Sequence, residues 1–549
     1  MRIVSVSEMQ ALESKSDAKG HSYHQMMECA GTGLADAIKQ RVTVADTHIL
    51  ILVGPGNNGG DGLVAARLLK DAGASVTAYL SRDRAIDEDP VFKEAREHGV
   101  ATLVANRDEN AKSLRRLTRQ ADVLIDALLG TGATPPLRGT VAAILKVVTD
   151  ELQRRQGSTL TSLQKVAPPN PTRPFIVAVD GPSGLDFDTG EIDEVALTAH
   201  LTVTFALPKW GHVRLPGAAK VGELIVADIG VPESVTVPEG PEIATSAMVR
   251  AWLPLRPLDA HKGTFGKVII VAGSANYTGA AILSARAALR SGTGLTTLAV
   301  ASTLHQAIVS AIPESTYLLL PHSLGVLNEH AAPVLKKEIS DYDAMLIGPG
   351  LGNTPETESF LRALFDFDVK RRNTGFIQSS NREKGKEAKL PPLVIDADGL
   401  NLLSQIPEWH HQLPQNSVLT PHPGEMARLT GRPIGEIQAD RLRAAAKSAH
   451  TWRQVVVLKG AFSIVAAPDH PPVVLPFANP GLSSAGTGDV LAGSIAAFRA
   501  QGLPAFQAAV AGTYLHGLAG EIARDEIGSA GIIAGDVAHY LAEAWRRLA

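Results

Sequence analysis

At 549 residues the chain is long enough for several domains and a sizeable buried core. Charged residues make up 20% and hydrophobic ones 45%, with a net charge of −4. That is the balance of a soluble globular protein with no basic field to recruit nucleic acid or an anionic membrane. A single cysteine, Cys29, excludes an intramolecular disulfide and a cysteine zinc site.

The opening MRIVSVSEMQALESKSDAKG lacks a secretory run, and no apolar stretch reaches the ~20 residues that span a bilayer, so the cytoplasm is the expected compartment. A helical pattern covers Glu8 to Lys39. An apolar run, Ile49 to Val53, enters a glycine-rich turn, and a helix is predicted over Gly62 to Leu69. Further runs at Ser75–Leu80, Val123–Ala127, Phe175–Val179, Leu201–Ala206 and Leu224–Ala227 alternate with helical or loop segments. Such alternation predicts a parallel sheet with crossover helices. Glu151 to Pro174 reads as a helix end and a proline-rich surface excursion. Proline and glycine after Val231 mark a boundary between domains 1–235 and 245–549. The second block predicts strands at Val268–Ala272, Leu295–Val300, Ala344–Ile347, Leu393–Ile395, Ser417–Leu419, Val455–Leu458 and Ser463–Ala466. A small-residue helix is expected at Gly279–Ser291, helices from Gly488 to the end, and a polar surface insertion at Lys370–Lys389.

Gly54 to Gly62 read GPGNNGGDG. Glycine permits a tight turn and close approach of backbone to phosphate, and a helix start offers unpaired N–H groups. The next strand ends Leu80-Ser81-Arg82, without the carboxylate that holds ribose in an ordinary dinucleotide-dependent oxidoreductase. Asn57, Asn58 and Asp61 either recognise a ligand or cation, or merely shape the turn with Asp61 as a helix cap. Asp126 ends one strand ahead of LLGTGATPPLRG, and Asp180-Gly181-Pro182-Ser183 follows another. Ligands of open parallel sheets bind at the carboxyl ends of strands, and oxygen-only donors suit a hard cation.

GPGNNGGDG, DALLGTG and VDGPSGLDFDTG together resemble the NAD(P)H-hydrate epimerase family over roughly Met1 to Val231. The resemblance implies a Rossmann-like three-layer αβα domain. It implies that Asn57, Asn58, Gly59, Gly60, Asp61, Gly130, Thr131, Gly132, Ala133, Thr134, Pro135, Pro136 and Asp180 contact the hydrated cofactor. A potassium ion is expected at Asn58, Asp126 and Ser183, Lys209 near the site, and Asp180 as the proton-transfer group.

In the second block, Asn479 to Gly493 read NPGLSSAGTGDVLAG. Small residues deliver Gly486-Thr487-Gly488-Asp489 onto a helix start, where backbone N–H groups form an anion pocket and Asp489 stands as a base. An anion hole beside a base suits phosphoryl transfer. This element resembles the ribokinase-like superfamily. HKGTFG, IGPGLG, VIDADGLNLL, LTPHPGEMARL and VVLKGAFSIV, in that order, narrow the resemblance to the ADP/ATP-dependent NAD(P)H-hydrate dehydratases over about Ala247 to Ala549. A C-terminal ribokinase-like α/β domain follows as an expectation. The resemblance implies substrate contact at Ala281, Gly350, His422 and Asp489, and nucleotide contact at Lys459, Gly460, Ala461, Phe462, Ser463, Gly486, Thr487 and Gly488. Asp396 and Asp398 are expected to be structural or to act behind the residues that touch the substrate.

The expected partners are the small-molecule hydrates of NADH and NADPH and further copies of the chain, with ADP or ATP as co-substrate and Mg2+ on its phosphates. Asp489 would accept the proton of the substrate hydroxyl while the terminal phosphoryl passes to its oxygen. Two other functions compete: a sugar or vitamin kinase of the same superfamily, and a non-catalytic N-terminal binding module. LTPHPGEM and HKGTFG disfavour the first, and Asn58, Asp126, Asp180 and Ser183 the second.

Overall fold

The computed structural model describes residues 1–132, 134–156, 174–237, 239–367 and 390–549. Ala133, the excursion beyond residue 156 and the 370–389 insertion lie outside them. The chain divides into two compact units, Arg2–Glu239 and Gly240–Ala549 together with Met1.

The first unit holds a seven-stranded sheet of β1 (His48–Val53), β2 (Ser75–Leu80), β3 (Ala101–Val104), β4 (Val123–Ala127), β5 (Phe175–Val179), β6 (Leu201–Phe205) and β7 (Glu223–Ala227). Their order is β3-β2-β1-β4-β5-β6-β7, and every pairing is parallel. The central strands read as unbroken apolar runs because helices cover both faces. One face packs against α1 (Val6–Ala18), α2 (Tyr23–Lys39), α3 (Asn57–Asp71) and α4 (Pro90–Glu97). The other packs against α5 (Lys112–Gln120) and α6 (Gly139–Gln156). Strand order reverses between β1 and β4, which opens a crevice at the carboxyl edge there.

Three expectations change. The predicted Glu8–Lys39 helix is two, each with its own serine cap, Ser5 and Ser22. β3 was not legible as a strand and is only partly buried. The helix expected from Gly62 begins at Asn57, so two thirds of the glycine motif is already helical. A Cβ at Gly54 would collide with the Leu128 carbonyl, so only glycine lets the β1 turn cross the end of β4.

The second unit is built on a ten-stranded sheet. Its order is Thr316–Leu320, Leu295–Ala301, Lys267–Val271, Ala344–Ile347, Leu393–Ile395, Val418–Leu419, Val455–Leu458, Ile464–Ala467, His470–Val474, Glu242–Ile243. The first seven run parallel, and the hairpins from Val455–Leu458 through His470–Val474 are antiparallel. The Thr316–Leu320 and Glu242–Ile243 edge strands lie outside the predicted set. Helices Thr278–Arg290, Thr487–Ala500, Ala505–Ile527 and Ala534–Leu548 are rich in alanine and glycine and pack closely on one another. Among the described residues no helix is long and apolar enough to cross a membrane.

Two candidate active sites

In the first unit, the turns after β4, β5 and β6 meet the first turns of α3. Asp180 ends β5 with a left-handed backbone, φ 62°, a strained state that persists where surroundings fix it. Its Oδ1 accepts from Thr204 Oγ1 at 2.7 Å and from Lys209 Nζ at 2.7 Å. Lys209, 1% exposed, also donates to Thr204 Oγ1 at 2.9 Å and to the Phe205 carbonyl at 3.2 Å. His212 Nδ1 accepts from the Lys209 backbone N–H at 3.0 Å, so its Nε2 is the donor to the Asp180 carbonyl at 2.8 Å. Burial and the Lys209 charge hold His212 neutral, at about 4. Burial alone would raise the Asp180 carboxyl, but the Lys209 charge and the hydrogen bonds from Lys209 and Thr204 outweigh it and hold it below the ordinary range.

Asp61 behaves oppositely. Burial pushes its carboxyl well above the usual range, and repulsion from Asp180 and Glu13 adds to that, against the pull of Lys209. It caps nothing: Gly56 is the N-cap of α3 and makes no side-chain cap bond. The capping reading of Asp61 therefore fails. Glu13, also raised by burial, belongs to this cluster. With Thr204 and His212 it is a residue that sequence reasoning missed, since neither motif nor spacing links it to the rest.

Beside this cluster, Ser183 Oγ donates to Asp126 Oδ1 at 2.6 Å and the Ser183 N–H to Oδ2 at 2.9 Å. The Leu129 N–H donates to Ser183 Oγ at 2.9 Å, which ties down the start of the 130–136 loop. Asn58 is buried, its Oδ1 3.2 Å from where a Cβ on Gly130 would stand, and its Nδ2 has no partner. Asn58, Asp126 and Ser183 thus bring amide, carboxylate and hydroxyl oxygens to the ends of neighbouring turns, a donor set that suits a hard cation. Asn57 and residues 132, 134 and 136 are exposed around it. Arg84, also unforeseen, donates to the Gly54 and Gly56 carbonyls at 2.8 and 3.0 Å and braces the turn ahead of α3.

In the second unit, helix Thr487–Ala500 packs on strands Lys267–Val271, Ala344–Ile347 and Leu393–Ile395. Gly486 caps that helix with φ 88°, which a side chain would strain. The first N–H groups of a helix have no partner within it and point outward. Asp489 is in the first turn. Burial and the neighbouring Asp396 push its carboxyl up to about 7, with Lys459 pulling the other way. Lys459 Nζ pairs with Asp396 Oδ1 at 2.6 Å and lies 3.6 Å from Glu425 Oε2. A Cβ on Gly488 would stand 3.5 Å from Lys459 Nζ, so the pair abuts the glycine cradle.

Glu425, pushed up to about 7 mainly by burial, was missed by sequence reasoning although it sits in the PHPGE run. Its Oε2 accepts from the His422 N–H at 2.8 Å. His422 Nδ1 in turn accepts from the Gly424 N–H at 3.0 Å. Asp398 Oδ2 accepts from the Gly352 N–H at 2.9 Å, and its charge also raises the Asp489 carboxyl. Asp396 acts behind the contact residues, pairing with Lys459 and raising the Asp489 carboxyl.

Gly350, φ 62°, packs on Tyr277 and Ala280 at the start of helix Thr278–Arg290. Ala281 is fully buried beneath Gly273 and offers no side-chain surface, whereas Tyr277 beside it is 56% exposed. Residues Lys459 to Ser463 form a turn held by Ser463 Oγ donating to the Gly460 carbonyl at 2.9 Å and by Arg441 donating to the Leu458 and Lys459 carbonyls. His516, neutral at about 4 through burial, donates Nε2–H to the Thr487 carbonyl at 3.0 Å and steadies the cradle from behind.

A family model described as NAD(P)H-hydrate dehydratase matches residues 268–543, and one described as YjeF-related protein N-terminus matches residues 23–211. The bifunctional NAD(P)H-hydrate repair enzyme of Moorella thermoacetica is 36% identical over 535 residues, covering 95% of this chain and 92% of that protein. That of Thermofilum pendens is 34% identical over 557 residues, covering 100% of this chain and 97% of that protein. A crystal structure of the ADP/ATP-dependent NAD(P)H-hydrate dehydratase of Bacillus subtilis, co-crystallized with ATP/Mg2+, aligns with a TM-score of 0.45 at 30% identity, over 56% of this chain and 99% of that one. With relatives of this identity aligned over nearly their whole length, the chain belongs to the family of bifunctional NAD(P)H-hydrate repair enzymes.

Proposed function

We propose that the first unit interconverts the R and S epimers of hydrated NADH and NADPH, and that the second dehydrates the S epimer at the expense of ADP or ATP. The observation that carries this reading is Asp489, a carboxyl near 7 at the mouth of a glycine cradle for phosphate.

Hydroxide is a poor leaving group from C6 of the reduced ring. Asp489 takes the proton of that hydroxyl while its oxygen attacks the terminal phosphorus of the nucleotide, and the P–O bond to the leaving nucleotide breaks. The N–H groups of Gly486 to Gly488 and the Lys459 ammonium face the phosphoryl charge. Phosphate then departs from C6, C5 loses a proton, and the ring double bond returns. Magnesium would travel on the nucleotide: among the described residues no three carboxylates or histidines converge on a metal position. Such ions are commonly held by phosphates, water and one or two carboxylates.

In the first unit the two aspartates divide the work. C6 is bonded to the ring nitrogen, whose lone pair expels the hydroxyl once it is protonated. Asp61, whose carboxyl burial pushes well above the usual range, supplies that proton, and water departs. Asp180, held ionised by Lys209, takes the proton of the water that adds to the other face. Environments that push two carboxyl groups apart in this way assign acid and base. Asn58, Asp126 and Ser183 would hold a potassium ion that fixes the 130–136 loop and its charge.

The test supplies purified protein with a mixture of both hydrate epimers and either ADP or ATP. Absorbance at the reduced-nicotinamide band should recover completely. Recovery that stops near half removes the epimerase reading, and accumulation of a stable phosphorylated product removes the dehydratase reading in favour of a kinase.

A further inference from the structure

Dehydration sets a requirement that Asp489 and the glycine cradle do not meet. When phosphate departs from C6, the lone pair of the ring nitrogen replaces the broken bond and the ring becomes a cation. Two fates then compete. Loss of a proton from C5 restores the double bond and the coenzyme. Addition of water at C6, with loss of a proton from that water, returns the hydrate, and a nucleotide has been cleaved with nothing repaired. Repair therefore depends on keeping water from C6, which a cover over the ring achieves.

Hydrophobic side chains are exposed where such a cover would stand. Tyr277, 56% exposed, is the N-cap residue of helix Thr278–Arg290. A Cβ on Gly350 would stand 2.8 Å from Tyr277 Cβ. Further along the same helix, Leu283 Cδ1 lies 2.6 Å from where a Cβ on Gly486 would stand. Six helical steps from Tyr277 to Leu283 rise about 9 Å, which leaves room for a ring between Tyr277 and the phosphate cradle.

Leu324 is the second such residue. It is 97% exposed, at the tip of a hairpin formed by His322–Ser323 and Val326–Leu327. Ser323 pairs with Val326, so Leu324 and Gly325 alone make the turn. Both have positive φ, 49° and 83°. Two-residue turns of this kind favour Asn-Gly, and a leucine in the left-handed region is strained. Leu324 thus buries almost nothing and costs backbone strain, so the fold supplies no reason for it. The hairpin is docked beside Tyr277: the Ala275 N–H donates to the Gly325 carbonyl at 3.1 Å. A Cβ on Gly352 would stand 3.8 Å from both Ser274 Oγ and Val326 Cγ1. The hairpin, the loop ahead of helix Thr278–Arg290 and the Gly350 turn therefore form one continuous rim.

We infer that Tyr277 and Leu324 close over the nicotinamide ring and keep water from C6 after phosphate has left, so that they set how much coenzyme is repaired per nucleotide cleaved. This inference rests on the dehydratase reading above. The face of the Tyr277 ring also favours the cation that forms beneath it.

The experiment measures a ratio on the full chain. The S epimer of NADH hydrate is supplied with saturating nucleotide, NADH is read by absorbance and inorganic phosphate by colorimetry, and phosphate released without hydrate is subtracted. The unaltered protein should form about one NADH per phosphate. Leu324→Asn and Tyr277→Ser should each lower that ratio at least threefold, and Tyr277→Phe should keep it. Leu324→Asn gives the turn a residue it prefers, so this variant should unfold at the same or a higher temperature, which separates a lowered ratio from a damaged fold. A ratio near one in both Leu324→Asn and Tyr277→Ser overturns the inference. So does a rise in phosphate release without hydrate that accounts for the loss, since the rim would then shield the nucleotide and not the ring. If the unaltered protein forms no NADH from hydrate and nucleotide, the dehydratase reading falls first and the inference with it.

Discussion

Lys459 Nζ stands 2.6 Å from Asp396 Oδ1, and this pair adjusts from both sides the charge state that burial sets for Asp489. Lys459 lowers the Asp489 carboxyl and Asp396 raises it. Lys459→Met removes the first influence and leaves Asp396, 1% exposed, without its partner. Breaking a buried pair in this way costs about 3–5 kcal/mol of stability. Denaturant unfolding should show that loss, and dehydratase activity in the surviving protein should need a higher pH.

The dehydratase reaction itself should follow the ionisation of Asp489. As a base it works only as carboxylate, and burial holds it at about 7. Activity should therefore fall as pH drops through about 7 and level off above it, because protonation disables the base on the acid side. A pH profile of kcat/KM on the S epimer, with nucleotide saturating, checks this; an acid limb near the ordinary aspartate range of about 4 would contradict it.

Lys209 is the N-terminal counterpart. Asp180 is held below its unfolded value, so its pairing stabilises the fold above about pH 4 and that contribution is lost as pH falls through the depressed value. Lys209→Met should cost about 3–5 kcal/mol at neutral pH, with the deficit against the unaltered protein narrowing in acid. Epimerase activity should fall with it, while dehydration of pure S epimer should persist in folded protein.

These charge relationships mark where the sequence stopped being legible. The carboxyl ends of strands were readable, because buried parallel strands are apolar runs bounded by glycine turns, and Asp126 is bonded to Ser183 and Asp180 to Lys209. Asp489 likewise stands at its helix start as its motif implies. The beginning of α3 was hidden. Asn57 to Gly62 holds three glycines, poor helix formers, yet Cβ atoms at Gly59, Gly60 and Gly62 would run into Arg84, Met27 and Ala127, so tertiary packing demands them inside the helix. Glu13 and Glu425 were hidden too. Their importance comes from burial beside distant charges, which no local pattern records.

Asp61 offers a sharper test of the division between acid and base. Because burial and the neighbouring Asp180 both disfavour the Asp61 carboxylate, Asp61→Asn should leave stability within about 1 kcal/mol or raise it. Epimerisation should nonetheless drop roughly 10²–10⁴-fold, the contribution of a positioned proton donor. Thermal unfolding and epimer interconversion measured on the same preparation separate the two effects.

Ser183→Ala bears on the cation site. Ser183 supplies a hydroxyl oxygen and holds Asp126 with both its Oγ and its N–H, of which only the N–H bond survives the substitution. Epimerase activity should then require more potassium for half-maximal rate, while the unaltered protein should lose activity when potassium is replaced by a bulky organic cation. An unaltered potassium requirement would remove Ser183 from the site.

The most direct test of the whole account is Asp489→Asn assayed for both reactions in one preparation. Dehydration of the S epimer should fall roughly 10²–10⁴-fold, with nucleotide still bound and epimerisation unchanged. Dehydration at the original rate in that variant would contradict the account, since no other carboxylate stands in the first turn of the Thr487–Ala500 helix.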